Sequence, residues 1–409
     1  MTETMDSLTA LAQAMPEVPR RVLAGISGGA DSMALMQLLL LQGCEIHAVH
    51  VNHGLRGEAS DGDEALVRSV CAAQGVTLSV FRLHPPDDPG EDWARRERYR
   101  CFHQTAEQTG ISTLVLAHHR DDQAETLLMH LMRGAGLTGL AGMAADSEKE
   151  GLRILRPLLT FSRQELRQAL QQANIPWRED RSNQDPRYLR NALRLEVLPL
   201  MERLLPGSSD RLAATAEVLQ ADEATLQALT ERFLAPYGQI CCLPLAALLA
   251  QPMGMQRRIL RQWWASHAGA REERQLSRGQ TDALMALLQG KACSRCNLPG
   301  GWHAYRGWTH LHLIGVQEDA SCVTWKGEVP ENCVIRTRMT GDWLRLPGGR
   351  RKLQDFFTDR KVDAPFRDRI PLLCRGSEVR AIAGLWQQDQ SAAWSGDMPW
   401  MQERDIDHE

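Results

Sequence analysis

The chain lacks an apolar run long enough to cross a bilayer. Its longest apolar run, near residues 33–41, is far shorter than the roughly 20 residues that a transmembrane helix needs. The first twenty residues include acids and no basic segment ahead of an apolar stretch, so no secretory signal is expected. With 43% hydrophobic and 24% charged residues, the 409-residue chain is typical of a globular protein of two or three domains. We expect a cytoplasmic protein with no membrane association.

Paired metal-ligand patterns are also missing. The ten cysteines are scattered, and only Cys293 and Cys296 form a CxxC pair. Zinc and iron–sulfur sites need further ligands at suitable spacing, and none stands close to this pair. Reduced thiols in a cytoplasmic chain are the simplest interpretation.

Lysine is scarce, with only five among the 47 basic residues. The net charge of −4 argues against a protein that binds nucleic acid over its whole surface. The charge is unevenly distributed along the chain. Residues 151–195 contain nine arginines against four acids, and residues 336–380 contain ten arginines and two lysines against six acids. Two basic islands on a mildly acidic chain favour local contacts with a phosphate backbone. Arginine bias combined with solvated faces is the alternative.

The turn after the first predicted strand lacks both the Gly-Lys-Ser/Thr ending of a Walker loop and the Gly-x-Gly-x-x-Gly pattern of dinucleotide-binding proteins. It reads Ser27-Gly28-Gly29-Ala30-Asp31-Ser32, between an apolar run at 22–26 and an apolar helix predicted from residue 33. A glycine-rich turn at a helix N-terminus offers backbone N–H groups to an anion. Asp31 would repel phosphate unless Mg²⁺ bridges the two. The turn therefore predicts a Mg-nucleotide site, and a tight glycine turn that merely opens a helix is the alternative.

Strand and helix patterns alternate through the first two hundred residues. Further strands are predicted at 45–51, 77–83 and 113–117, with helices near 60–74, near 91–109 and after residue 121. Such alternation predicts a parallel sheet covered on both faces, with ligands at the carboxyl ends of its strands. Polar clusters at 27–32, 50–56 and 117–123 fall at those ends.

The cluster at 117–126 reads AHHRDDQAET. Its adjacent histidines and aspartates resemble metal ligands, so a dinuclear phosphoesterase that also uses His50 and His53 is an alternative to a nucleotide site. That alternative leaves the 27–32 turn unexplained. A third interpretation makes Asp122 a helix N-terminal acid.

The predicted helix at 91–109 places Arg95, Arg98 and Tyr99 close to one another. Basic and aromatic side chains together suit RNA or phosphate binding. Surface ion pairing explains this segment equally well.

The SGGxDS turn after a strand resembles the pyrophosphate loop of the N-type ATP pyrophosphatases, which cleave ATP to AMP and pyrophosphate. The chain as a whole resembles the tRNA(Ile)-lysidine synthetase family. This resemblance runs in order through ISGGADSM, VNHGLR, ARRERY, AHHRDDQAET, RGAGLTGL, RPLL and EDRSNQDPRYLRN, and continues weakly to RRKLQDFFTDRKVDAPFRDRIPLL. In the last segment Gln354 stands where a basic residue is expected, which weakens the expected tRNA contact of that island.

The resemblance implies ATP-dependent ligation of L-lysine to C2 of the wobble cytidine in the CAU-anticodon tRNA(Ile). The cytidine O2 would attack the α-phosphate of ATP and release pyrophosphate. The ε-amine of lysine would then displace AMP, so that the tRNA reads AUA. ATP and Mg²⁺ are the implied cofactors. A tRNA thiolase is disfavoured because Cys44, Cys71 and Cys101 are unpaired in the sequence, and a non-catalytic RNA-binding protein is disfavoured by the intact turn.

The resemblance also implies residue roles. The turn would hold the leaving pyrophosphate, and Asp121 or His118 would take the proton of the lysine ammonium. The implied catalytic residues are Asp31, His118, Asp121, Asp122 and Arg95. The implied nucleotide-binding residues are Ser27, Gly28, Gly29, Ala30, Asp31 and Ser32, with Asp31 also the metal ligand, and the implied substrate-binding residues are Arg98, His53 and Arg190.

Punctuation along the chain predicts the domain organisation. We expect an α/β domain with a parallel sheet of the PP-loop ATP pyrophosphatase type, followed by a helical connector and two smaller α/β or α+β domains. The predicted bounds are 1–206 for the catalytic domain, 207–234 for the connector helix, 235–315 for a middle domain, 316–330 for a linker and 331–409 for a C-terminal domain. The resemblance assigns tRNA binding to the last two domains. Packing of the connector within one chain or between two chains stays open.

Overall fold

The structure is a computed structural model that describes residues 6–86, 90–179, 187–237, 241–268, 276–315, 323–326, 329–388 and 394–395. The chain forms two compact units, Met1–Thr225 and Leu226–Glu409. Most of the predicted linker at 316–330 and most of the polar segment at 179–183 lie outside the described residues.

The first unit is built on one twisted sheet of six strands among the described residues, in the order β3-β2-β1-β4-β6-β5. The strands β1 to β4 and β6 run parallel, and β5 is antiparallel to β6. Their bounds are β1 (Arg21–Gly25), β2 (Glu45–Asn52), β3 (Thr77–Arg82), β4 (Thr113–Val115), β5 (Asp146–Lys149) and β6 (Leu152–Leu155). The predicted parallel sheet is confirmed.

Helices cover both faces of this sheet, as parallel sheets require. The helices of the first unit are α1 (Asp6–Ala14), α2 (Ala30–Leu41), α3 (Glu58–Gln74), α4 (Glu91–Thr109), α5 (Arg120–Met132), α6 (Leu137–Leu140), α7 (Arg163–Gln172), α8 (Leu189–Ala192) and α9 (Leu198–Leu204). One core cluster joins α1, α2 and α7 to the sheet, and another packs Phe102 of α4 against Leu23 and Leu114 on the opposite face. Nine residues of α2 are buried, because this helix is apolar on all sides.

Helix α7 begins at a capping box. The Ser162 N–H donates to Glu165 Oε2 at 2.7 Å, and the Glu165 N–H donates to Ser162 Oγ at 3.2 Å. Each bond satisfies a backbone donor that has no partner within a helix. The first turn of α7 lies beside the carboxyl end of β4, because the Arg120 N–H, after β4, donates to the Phe161 carbonyl, before α7, at 2.9 Å.

A π-helical turn at Leu193–Val197 joins α8 to α9. Helix α10 (Ser208–Leu234) follows and contains the boundary between the two units. The sequence predicts a connector helix at 207–234, and the observed helix begins one residue later.

The second unit contains two main sheets among its described residues. The first has the order β7-β10-β9-β8, and the second has the path β12-β15-β16-β13-β14, with β17 pairing with β16. The strands are β7 (Cys242–Pro244), β8 (Ser294–Asn297), β9 (His303–Arg306), β10 (His310–Ile314), β11 (Thr324–Trp325), β12 (Val334–Arg336), β13 (Trp343–Leu346), β14 (Gly349–Lys352), β15 (Leu372–Arg375), β16 (Glu378–Ile382), β17 (Trp386–Gln387) and β18 (Trp394–Ser395). The helices are α11 (Leu245–Leu249), α12 (Met253–Ala268), α13 (Arg278–Gln289), α14 (Leu353–Asp359) and α15 (Ala364–Arg367).

A buried carboxylate joins the segment before α15 to the first sheet of the second unit. Asp363, just before α15, accepts hydrogen bonds from the Trp308 N–H at 3.0 Å and from His312 Nε2 at 2.9 Å. A Cβ at Gly307 would lie 2.1 Å from Asp363 Oδ2, so only glycine leaves room for this approach. We call Asp363 with Gly307, Trp308 and His312 the Asp363 clasp.

Candidate active site

The loop between β1 and α2 is wound around the hydroxyl of Ser32. Ser32 Oγ accepts a hydrogen bond from the Ser27 N–H at 3.1 Å and donates one to the Gly29 carbonyl at 2.9 Å. Gly28 has a φ of +90°, a left-handed conformation that glycine adopts at little cost. Helix α2 begins without a side-chain cap, so its first-turn N–H groups have no partner within the helix. The loop therefore has the geometry of an anion cradle.

Contacts from beneath fix the loop in this shape. The Arg178 N–H donates to the Gly28 carbonyl at 3.0 Å, and His50 Nδ1 lies 2.8 Å from the Ile26 carbonyl oxygen. Asp63 of α3 receives Arg178 Nε and Arg56 Nη2, both at 2.7 Å. Asp63 thus ties the segment after β2 and the segment after α7 to the base of the loop.

His119 lies among three carboxylates at the carboxyl end of β4. Its ring nitrogens lie 3.6 Å from Asp31 Oδ2, 3.5 Å from Asp121 Oδ2 and 3.4 Å from Asp122 Oδ2. Burial acts to lower the pKa of His119, but the three carboxylates outweigh it and raise the pKa to about 10. The ring is therefore an imidazolium at neutral pH. The backbone nitrogen of Asp122 lies 3.4 Å from His119 Nδ1. This long contact is not a hydrogen bond in the imidazolium, because a protonated ring nitrogen cannot accept one.

A second cluster joins two carboxylates of α5 to two arginines of the α8–α9 region. Glu125 accepts from Arg190 Nε at 2.7 Å and from Arg194 Nε at 2.6 Å. Asp122 Oδ1 lies 3.0 Å from Arg190 Nη2 and 3.2 Å from Arg194 Nη2. Burial acts to raise the pKa of Asp122, yet the charges of His119 and Arg190 lower it to about 2. Asp122 is therefore held as a carboxylate.

His118 and His53 are neutral bases. Burial, aided by the charges of nearby arginines, lowers the pKa of each to about 4. The Nδ1 atom of each ring is buried and has no hydrogen-bond partner within the described part of the chain. Both rings are unprotonated at neutral pH and can accept a proton or a hydrogen bond. The ring of His53 also meets that of Trp93 edge-on, with centroids 6.1 Å apart.

The structure brings Asp31, Asp121 and Asp122 together around His119, and it joins Arg190 to Asp122. Arg98, exposed on α4, is near enough for its charge to lower the pKa of both His118 and His53. Arg95 is also exposed on α4, where its charge is felt by Arg156.

Tyr99 faces the sheet rather than solvent. It packs edge-on against Phe102 and lies beneath the Lys149 ammonium, which is 4.5 Å from the ring centroid. It therefore does not offer a free stacking surface to RNA.

Sequence reasoning gave no role to Glu125 or Arg194, and it considered His119 only as a metal ligand in the phosphoesterase alternative. Glu125 lies three residues after Asp122, and Arg194 lies four residues after Arg190. In a helix both spacings place the side chains on one face. These spacings are the signal by which the pairs could have been found.

Asp31 is suited to hold Mg²⁺. Its Oδ1 is buried and lacks a hydrogen-bond partner among the described residues, although it lies beside the anion cradle. Mg²⁺ is typically held by one or two carboxylates together with phosphate oxygens and waters. No group of three or more His, Cys, Asp or Glu side chains in the described ranges is arranged to hold a metal, so the ligand set of a dinuclear phosphoesterase is not found there.

An SGGADS turn at the carboxyl edge of a parallel sheet, with an aspartate in place of the Walker lysine, defines a PP-loop ATP-binding domain. The family model described as a PP-loop domain matches residues 2–201. Two further models, a TilS substrate binding domain and a TilS substrate C-terminal domain, match residues 243–310 and 333–404. The chain belongs to the tRNA(Ile)-lysidine synthase family.

Curated relatives agree with this assignment. The tRNA(Ile)-lysidine synthase of Geobacter sulfurreducens is 33% identical and aligns over 92% of this chain and 91% of its own. That of Pseudomonas putida is 34% identical over 90% and 94%, respectively. That of Deinococcus radiodurans is 36% identical over 88% of this chain and 58% of its own.

Solved structures give distant likenesses. The U34-tRNA thiolase NcsA of Methanococcus maripaludis is 18% identical with a TM-score of 0.43, covering 54% of this chain and 78% of that one. The NH3-dependent NAD synthetase of Campylobacter jejuni is 12% identical with a TM-score of 0.29, covering 54% and 92%.

Two further expectations concern membranes and thiols. Within the described residues, no helix combines the length and apolarity that a membrane span needs. Cys293 and Cys296 are both free thiols.

Proposed function

We propose a two-step route by which this chain forms lysidine on tRNA(Ile), with ATP as a substrate. In the first step the O2 of the wobble cytidine bonds to the α-phosphorus, and the bond from that phosphorus to the bridging oxygen of pyrophosphate breaks. In the second step the ε-nitrogen of L-lysine bonds to C2, the C2–O bond breaks, and AMP leaves with the oxygen. The net reaction makes the enzyme a carbon–nitrogen ligase.

The observation on which this proposal rests is the pairing of an anion cradle with an unpartnered carboxylate oxygen. The loop Ser27–Ser32 would hold the pyrophosphate through its N–H groups. Asp31 Oδ1, which is buried and lacks a partner among the described residues, would hold Mg²⁺. When bound, Mg²⁺ would neutralise charge that develops on the phosphate oxygens.

The attacking lysine nitrogen needs a lone pair, although the ε-ammonium is normally protonated near pH 7. We assign proton removal to Asp121 or His118. Asp121 is the more exposed of the two aspartates at the start of α5, with 36% of its side chain accessible against 11% for Asp122. His118 offers a neutral ring whose Nδ1 has no partner in the described ranges. Asp122 is bound by Arg190 and Arg194 and would act by electrostatic attraction on the ammonium.

Arg98 and His53 are proposed to bind the anticodon nucleotide. Arg98 is exposed on α4, and it is near enough to His53 for its charge to lower the pKa of that ring. We assign Arg95, which is also exposed on α4, to stabilising the charge of the transferring phosphoryl group.

Lysine incorporation tests the whole route. The full chain is incubated with ATP, Mg²⁺, radiolabelled lysine and a CAU-anticodon tRNA(Ile) transcript. We expect label in the tRNA together with one AMP and one pyrophosphate per lysine. Without lysine, α-labelled ATP should leave adenylate on the tRNA. Absence of lysine label from the tRNA would refute the route, and a thiolase or a non-catalytic binder would give that result.

We propose that the second unit binds tRNA through one face of the β13–β14 hairpin. Trp343 pairs with Lys352 across the hairpin, and Arg345 pairs with Arg350, so these four side chains share a face. The Arg350 guanidinium lies 3.7 Å from the centre of the Trp343 ring. Like charges directly opposite each other destabilise a strand pair, and an RNA phosphate would relieve that repulsion. Within the described residues, Arg345 is the one of these three cations that contacts a carboxylate, that of Glu378 at 3.2 Å.

The double variant R350Q/K352Q tests this face. We expect a higher KM for tRNA and a salt dependence of binding that is shallower by about 1.5 in log–log slope, because two phosphate contacts are lost. The KM for ATP should not change. R338Q, which removes an arginine paired with Asp368, is the matched control, and equal tRNA affinity in both variants would contradict the assignment.

The domain bounds given above, 1–206, 207–234, 235–315, 316–330 and 331–409, stay predictions. The three family-model matches lie within the three predicted domains, which supports them.

A further inference from the structure

Arg163, the first residue of α7, is half-buried. No hydrogen bond or ion pair of this side chain occurs among the described residues, and its Nε is buried. Burial lowers the pKa of Arg163, and the charges of Arg194 and Arg167 lower it further, while Asp31 and Asp122 act against this from a distance. Burying a cation is costly unless an anion reaches it. The position therefore calls for a negatively charged ligand.

The backbone of Arg163 is fixed beside the phosphate loop by a chain of short contacts. Its N–H donates to Asp121 Oδ2 at 2.8 Å. The same oxygen lies 3.5 Å from His119 Nδ1, and His119 Nε2 lies 3.6 Å from Asp31 Oδ2. Arg163 thus lies across these side chains from the start of α2, where the anion cradle is.

The arginines around Arg163 differ from it, because each of them contacts a carboxylate. Arg167 lies 3.1 Å from Glu179, and Arg190 and Arg194 both bind Glu125. Arg120 contacts Glu165 and Asp210. The other arginines of this region thus bind carboxylates of the protein, whereas the guanidinium of Arg163 is available to bind a ligand.

We propose that Arg163 binds the β- and γ-phosphates of ATP from the side opposite the Ser27–Ser32 loop and stays bound to the pyrophosphate as it leaves. The planar fork of a guanidinium matches two oxygens of a phosphate group. Asp31 Oδ1 has no hydrogen-bond partner among the described residues, so its carboxylate stays available for a cation on the same phosphates. This inference rests on the proposed function, because it takes ATP as the source of the diphosphate.

Inorganic pyrophosphate is the probe for this site. Its affinity for the full chain is measured with Mg²⁺ by titration calorimetry for wild type, R163Q, R163K and R153Q. Arg153 is an exposed arginine paired with Asp146 in the same unit, so R153Q is the matched control. We expect R163Q to weaken pyrophosphate binding at least about tenfold, as loss of a charged hydrogen-bond donor does, and to raise the KM for ATP similarly. R163K should recover part of the affinity, and R153Q should match wild type.

Wild-type affinity for pyrophosphate in R163Q overturns the assignment. So does a variant in which only the KM for tRNA rises, because the anion would then be an RNA phosphate. If R163Q does not fold, R163K takes its place, with at least about a threefold loss expected and wild-type affinity refuting the inference. A wild type that makes no lysidine while R163Q still loses pyrophosphate binding removes the proposed function and supports the phosphate site.

Discussion

Glu125 is expected to be a large single contributor to the stability of the first unit. Its side chain is 1% exposed and accepts three hydrogen bonds, at 2.6, 2.7 and 2.9 Å, from Arg190 and Arg194. The isosteric change E125Q removes the charge of this side chain. Among the described residues, Asp122 is then the remaining carboxylate that contacts Arg190 and Arg194. Breaking a buried ion pair costs about 3–5 kcal/mol. Because Asp122 retains contacts to both guanidinium groups, we expect the lower end, about 3 kcal/mol.

A loss of that size lowers the melting temperature by roughly 6–12 °C in a unit of this length. The assay is thermal and urea unfolding of the full chain, followed through the transition of the first unit. The matched control is D146N, which removes a carboxylate from an equally short pair with Arg153 whose side chains are both 52% exposed. That exposed pair should contribute at most about 1 kcal/mol. Equal free energies of unfolding for E125Q and D146N would refute the reasoning from burial.

Three further predictions concern the candidate active site. D31A should abolish pyrophosphate release while the melting curve stays close to that of wild type, and near-normal turnover would show that Asp31 is not required. D121N should make the logarithm of the rate rise by about one per pH unit through the neutral range, since only free amine would then react; a flat profile would argue against Asp121 as the base. Burial lowers the pKa of His53 from 6.5 to about 4, so between these pH values the unfolded chain binds more protons and stability rises with pH. H53Q should flatten that slope in pH-dependent urea unfolding, and an unchanged slope would contradict the neutral state of His53.

Local patterns were sufficient to predict the first four parallel strands of the first sheet and the longer helices that connect them. The apolar run before the SGGADS turn and the capping box at Ser162 specify their elements from neighbouring residues alone. Strands β5 and β6 were not predicted, because β5 (Asp146–Lys149) is short and polar and owes its conformation to pairing with β6. Such pairing depends on distant segments, which a local pattern does not reveal.

The residues of the candidate active site also differ in whether a local pattern reveals them. Asp31 and the AHHRDDQAET segment are visible in the sequence because loop and cluster are each continuous. The arginine partners of Asp122 are not visible in a local pattern. Arg190 lies 68 residues further along the chain and contacts Asp122 because α8 packs against α5. Arg163 lies between the two capping residues Ser162 and Glu165, and this local pattern indicates a helix start and no ligand. Its free guanidinium becomes evident only when the carboxylates on the neighbouring arginines are located.

The Asp363 clasp limits which segments of the second unit can be exchanged with those of relatives. Gly307 and Trp308 lie in the segment that matches the TilS substrate binding domain, whereas Asp363 lies in the segment that matches the C-terminal domain. A chimera with its junction in 316–330 that brings any residue without a carboxylate to position 363 would place it against a hairpin shaped for that carboxylate. The buried His312 nitrogen and the Trp308 N–H would then lose their acceptor, and any side chain at 307 would block a new one. The two segments should therefore be exchangeable between relatives as a pair and not one at a time.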